Sequence, residues 1–93
     1  MSLIMENNVE YHCAEVVTDL TIVDFLPAEY GKASLWAVQF TAGEGITVSL
    51  PDTVRWAVAE PVFTTGVSYW LSFVPLVGGD ILGVWVSYEQ SNI

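Results

Sequence analysis

His12 and Cys13 stand side by side, and each is the single residue of its type in a chain of 93. A nucleophilic triad would need His12 as its base. Such a constellation is recognised by geometry, and no Gly-x-Ser-x-Gly elbow supplies the partners. His12 therefore reads as a strand histidine on a polar face. Zinc is no better served, because adjacent strand residues point to opposite faces and no second His or Cys completes a tetrahedral set. Cys13 has no partner for an intrachain disulfide and reads as a small buried hydrophobe.

Seven of the eleven carboxylates fall in two groups: Glu10, Glu15, Asp19 and Asp24 in the first quarter, and Asp52, Glu60 and Asp80 in expected loops. Hard oxygen ligands suit calcium, yet this spacing matches no ligand loop, and nothing fixes the carboxylate pair a glycosidase needs. A solvated acidic surface needs no special geometry. Gly43-Glu44-Gly45 lacks both the spacing and the following Lys-Ser/Thr of a phosphate cradle, and reads as a turn. The expectation is no enzyme, no cofactor and no catalytic or metal-binding residue.

Aromatics are the unusual holding: Trp36, Trp56, Trp70 and Trp85, with Tyr11, Tyr30, Tyr69 and Tyr88. Flat aromatic faces stack on sugar rings, but they are also enriched in cores and subunit interfaces. By alternation Trp36 falls with Val38 and Phe40, whereas Trp70 shares its face with Ser68 and Ser72 and is the candidate to meet a partner. Tyr69, Trp70, Trp85 and Tyr88 are the expected interface residues. Trp56, with Glu60 or Asp80, is the alternative ligand groove.

These residues must be positioned by strands. A period of two runs through Val9, Tyr11 and Cys13, with Glu10 and His12 opposite; a second strand follows from Leu20 to Phe25, rich in β-branched residues. Residues 26–32 read as a loop around Pro27 and Gly31. A third strand spans Ala33 to Thr41, Ala42 to Gly45 reads as a hairpin turn, and Ile46 to Leu50 makes a fourth strand. Between Pro51 and Gly66 there is no clear period: a short helical turn fits Thr53 to Ala57, and Trp56 reads as a plug at one end of the core. Ser68 to Val77 and Ile81 to Tyr88 are the last two strands, joined at Gly78-Gly79-Asp80. Six strands without a helical stripe predict an all-β fold, a small antiparallel β-sandwich or jelly-roll-like barrel. Residues 1–93 form one domain, with 1–8 a flexible lead-in and 89–93 a frayed tail.

Composition sets the outer limits. So short a chain buries only about 60 to 65% of its unfolded surface. Apolar residues nevertheless make up 53% and charged residues only 14%, so part of the apolar surface is expected to meet another chain. Eleven carboxylates against Lys32 and Arg55 give a net charge of −9, which repels nucleic acid and anionic membranes alike. The uncharged run from Pro61 to Gly79 is broken by Gly66 and Pro75 and carries no flanking Lys or Arg, so no membrane helix is expected. No positively charged n-region of a signal peptide is present.

The pattern Phe40-Thr41-Ala42-Gly43, Ile46 to Leu50, Pro51, Val54-Arg55-Trp56-Ala57, Glu60-Pro61, Gly66, Tyr69 and Val84-Trp85-Val86 resembles the small β domain of phage and prophage structural proteins, found in tail, baseplate or head-fibre polypeptides. The resemblance covers roughly the last half of the chain. It departs at Ala57-Val58-Ala59, where the family often has a glycine, and in the longer hairpin from Pro75 to Asp80. It implies a virion component made in the bacterial cytoplasm, joined to other virion proteins and to itself as a homotrimer or dimer. The alternative class is a carbohydrate-binding adhesin module that takes a cell-surface glycan.

Overall fold

The computed structural model describes residues 1–26 and 34–88. Seven strands follow in order: β1 (Ser2–Met5), β2 (Glu10–His12), β3 (Val17–Phe25), β4 (Trp36–Ser49), β5 (Val54–Trp56), β6 (Ser68–Pro75) and β7 (Ile81–Tyr88). The all-β expectation is met, and among the described residues no helix is long and apolar enough to cross a membrane. The expected loop from Pro27 to Lys32, the start of the third strand at Ala33 and the expected frayed tail lie outside the described residues.

The sheet runs β1-β3-β4-β6-β7-β5, with β2 beside β4 off this path. Its directions are mixed, which corrects the expectation of antiparallel strands throughout. Only β4-β6 and β6-β7 are antiparallel, whereas β1-β3, β2-β4, β3-β4 and β5-β7 are parallel. The chain from Glu10 to Thr21 lies alongside β4 in the same direction, first as β2 against Ala37 to Gln39 and then as β3 against Ala42 and Thr47 to Ser49.

Strand β4 explains most of the difference. The turn expected at Ala42 to Gly45 does not form; the chain continues as one 14-residue strand. Gly43 is buried against Val16 and Thr18, where any side chain would collide, and Gly45 takes a φ of +68°, which bends the strand without reversing it. The first half of β4 serves β6 and β2, the second half β3.

Period two decides which side chains go inside. Trp36, Val38 and Phe40 of β4 and Tyr69, Leu71 and Phe73 of β6 are all buried, as alternation requires. In β3 the buried set Val17, Leu20, Ile22 and Phe25 breaks parity twice: the β3-β4 register shifts between Val17 and Asp19, and the β1-β3 register skips Val23 and turns Phe25 inward. The Phe25 ring then packs 5.0 Å from both Trp36 and Phe73, centroid to centroid. Strands β3 and β6 are not sheet neighbours, so this contact records the curl of the sheet into a half-barrel around its core.

Two further expectations are corrected. Residues 1–8 are not a loose lead-in: Ser2 to Met5 form a parallel strand on β3, and Met5 is wholly buried. The segment around Val54 is a short strand on β7 and not a helical turn, since its backbone pairs with Ile81 to Gly83. Trp56 does plug the core end, 5.9 Å from the Phe73 ring.

Candidate interaction surface

The convex side of β2, β4, β6 and β7 collects the side chains that the core leaves out. Antiparallel pairing sets Gln39 opposite Trp70, Trp70 opposite Val86 and Ser68 opposite Tyr88, while β2 places His12 beside Gln39. Even-numbered residues of β6 and β7 therefore share this side, and odd-numbered ones face the core.

A hydrogen-bonded line crosses all four strands there. The Glu10 carboxylate accepts from Gln39 Nε2 at 2.7 Å and from the Trp70 indole N–H at 2.9 Å through the same oxygen. The Tyr88 hydroxyl donates to Gln39 Oε1 at 3.0 Å, and His12 Nε2 lies 3.5 Å from the other Glu10 oxygen. Chiefly the Gln39 amide, then the Trp70 indole, holds the Glu10 carboxyl below the usual carboxylate range. Nearby, the Thr41 and Ser68 hydroxyls bond to each other at 2.8 Å. The result is an oriented Trp–Tyr surface on a rigid sheet, flanked by exposed Val84 and Val86. Beside Trp70 a depression of about 230 Å³ is lined by Asn8, Val9, Glu10, Leu35 and Ala37.

Of the expected interface residues, Trp70 and Tyr88 come together on this surface, whereas Tyr69 and Trp85 lie on the core side. Tyr69 is 2% exposed; its hydroxyl accepts from Thr64 N–H at 2.7 Å and donates to the Val62 carbonyl at 3.2 Å. Trp85 is half-buried, opposite Leu71 in register, and its indole donates to the Ala59 carbonyl at 2.9 Å. Parity along β6 and β7 explains the division.

The alternative groove is only partly assembled. Trp56 and Glu60 line one depression of about 270 Å³ with Leu50, Pro51, Asp52 and Val54, whereas Asp80 sits apart, 3.7 Å from Arg55 Nε. Cys13 is half-buried, and burial pushes its thiol up, so it stays protonated. Among the described residues no three His, Cys, Asp or Glu side chains are gathered to hold a metal ion.

Glu10 and Gln39 were not singled out from sequence as site residues. Gln39 carries the one available signal, an amide in the middle of an apolar strand; its partners are remote in sequence, Tyr88 by 49 residues. Comparison with protein-family models, with curated proteins and with solved structures returned no match.

Proposed function

We propose that this chain is a non-catalytic structural domain that works by self-association. The observation that carries the reading is the exposed, charge-free β7: Val84, Val86 and Tyr88 are 42, 52 and 42% exposed, and no charged residue occurs from Ile81 to Tyr88 in a chain of net charge −9. Exposed apolar side chains occur elsewhere too, Val58 and Val62 among them, but Val84, Val86 and Tyr88 stand in line on one face of an uncharged strand, the kind of surface a second chain covers. Membership of a phage or prophage particle, and the partnership with other virion proteins, rest on the sequence resemblance of Phe40 to Val86. As finer architecture we infer a small sandwich-like arrangement, its β1-β3 and β6-β7 sides facing each other through the Phe25 and Phe73 rings.

Sedimentation equilibrium from low to high micromolar concentration tests self-association. A mass of two or three chains is the expected result, and a single-chain mass throughout would end the proposal. A second reading, sugar binding, is favoured by Trp56 and Glu60 sharing one depression. Tryptophan emission titrated with cell-wall polysaccharide tests it: a saturable change supports it and a flat titration removes it.

A further inference from the structure

We propose that the outer edge of β7, from Val84 to Tyr88, pairs antiparallel with the same edge of a second copy across a two-fold axis at Val86. The inference deepens the self-association reading and rests on it.

Backbone directions come first. Ile81 N–H donates to the Thr53 carbonyl and the Gly83 carbonyl accepts from Ala57 N–H, both at 2.9 Å, so these β7 residues point away from β6. Every second residue repeats that direction, which aims the N–H and C=O groups of Trp85 and Ser87 at the same edge. Strand β5 covers this edge only as far as Gly83. Beyond it the backbone from Ala57 to Ala59 leaves the β7 ladder, its Ala59 carbonyl held by the Trp85 indole, and a depression of about 200 Å³ opens beside Val84 and Trp85.

Other edges carry protection. The Tyr11 hydroxyl accepts from Glu6 N–H and donates to the Ile4 carbonyl, which blocks the end of β1, and β5 is three residues long with Arg55 in its middle. Charge, proline and shortness are the usual defences of an edge, and Val84 to Tyr88 has none of them.

The occupant follows from charge and symmetry. A chain of net charge −9 repels its own copies, least of all along an uncharged strand. A two-fold axis at Val86 sets Trp85 of each copy opposite Ser87 of the other, so both edge residues donate and accept. Four backbone hydrogen bonds result. Val86 then meets Val86, and Val84 meets Tyr88, on the exposed side, joining the two Trp70 surfaces into one.

Two substitutions read this geometry without touching the core. Ser87→Pro removes an outward N–H, and with it two of the four bonds, while the β6-β7 ladder keeps its own. Val86→Cys, in a Cys13→Ser background, brings two thiols across the axis at a separation a disulfide spans. The expected results are association weakened about tenfold or more by Ser87→Pro with unchanged circular dichroism, and a disulfide-linked dimer from Val86→Cys under mild oxidation. Val23→Cys, exposed on β3, should stay unlinked. A trimeric mass, or a dimer indifferent to Ser87→Pro that fails to link at Val86, overturns the edge pairing and leaves self-association standing. A monomer at every concentration overturns both.

Discussion

The Trp56 ring closes over Gly83 so tightly that a β-carbon there would lie 2.8 Å from Trp56 Cε3 and 3.4 Å from Phe73 Cε1. Gly83 faces the core in register with both residues, so its missing side chain is the space that lets the ring seal the end of the half-barrel. Gly83→Ala must displace the ring and should cost about 1 to 3 kcal/mol, the range of overpacked cores. Urea denaturation measures it. Because the conflict is with Trp56, the Gly83→Ala, Trp56→Leu pair should lose less than the sum of the single changes.

Gly43 makes a different contact. Its β-carbon would meet Thr18 Cγ2 at 2.7 Å, Val16 Cγ1 at 2.8 Å and the Val17 carbonyl at 3.2 Å, where the β3-β4 register shifts. Val16 and Thr18 are β-branched and stiff at χ1, and the Val17 carbonyl behind them is backbone, so Gly43→Ala should part β3 from β4 and cost about 1 to 3 kcal/mol. Amide hydrogen exchange distinguishes this from a general loosening: protection should fall in β3 and the second half of β4 while β6 and β7 keep theirs.

These two glycines also show what could be read in advance. The β6-β7 hairpin was legible because its cause is local: Gly78 and Gly79 take φ of +103° and +99°, and Leu76 N–H closes on the Asp80 carbonyl at 2.7 Å. Period two likewise groups Tyr69, Leu71 and Phe73 on one face, but alternation does not say which face is buried, and Tyr69 lies in the core where an interface was expected. Gly43 and Gly45 looked like a turn because glycine signals freedom in either case; whether it reverses a strand or admits a neighbour depends on Val16 and Thr18, which no local pattern brings there. Parallel pairing of β3 with β4 is equally remote from sequence, since alternation is identical in both directions. For the exposed surface, parity placed Trp70 with Ser68 and Ser72, but its partner Glu10 is 60 residues away.

Tyr69 separates fold from association. Its hydroxyl bridges Thr64 N–H and the Val62 carbonyl at a buried position, so Tyr69→Phe leaves two backbone groups without their partner. Thermal denaturation should show a loss of about 1 to 3 kcal/mol. The residue contributes no exposed surface, so the concentration dependence of the mass should match wild type; a change in association would place Tyr69 at the interface after all.

Glu10 makes the exposed surface sensitive to acid, and the direction follows from its hydrogen bonds. Gln39 and Trp70 donate to the charged form and so lower its pKa in the folded state. A group lowered on folding binds fewer protons than in the unfolded chain. Its contribution is therefore complete above the unfolded value and is lost as pH falls through the folded one. Glu10→Gln removes the titration and leaves other carboxylates in place, so the difference between the two proteins isolates this residue. Wild type should melt higher at neutral pH, and the gap should narrow steadily through the carboxylate range as Glu10 takes up its proton. A gap that stays constant into acid would mean that the two donors do not favour the charged carboxylate, and that the line from β2 to β7 orders Trp70 by shape alone.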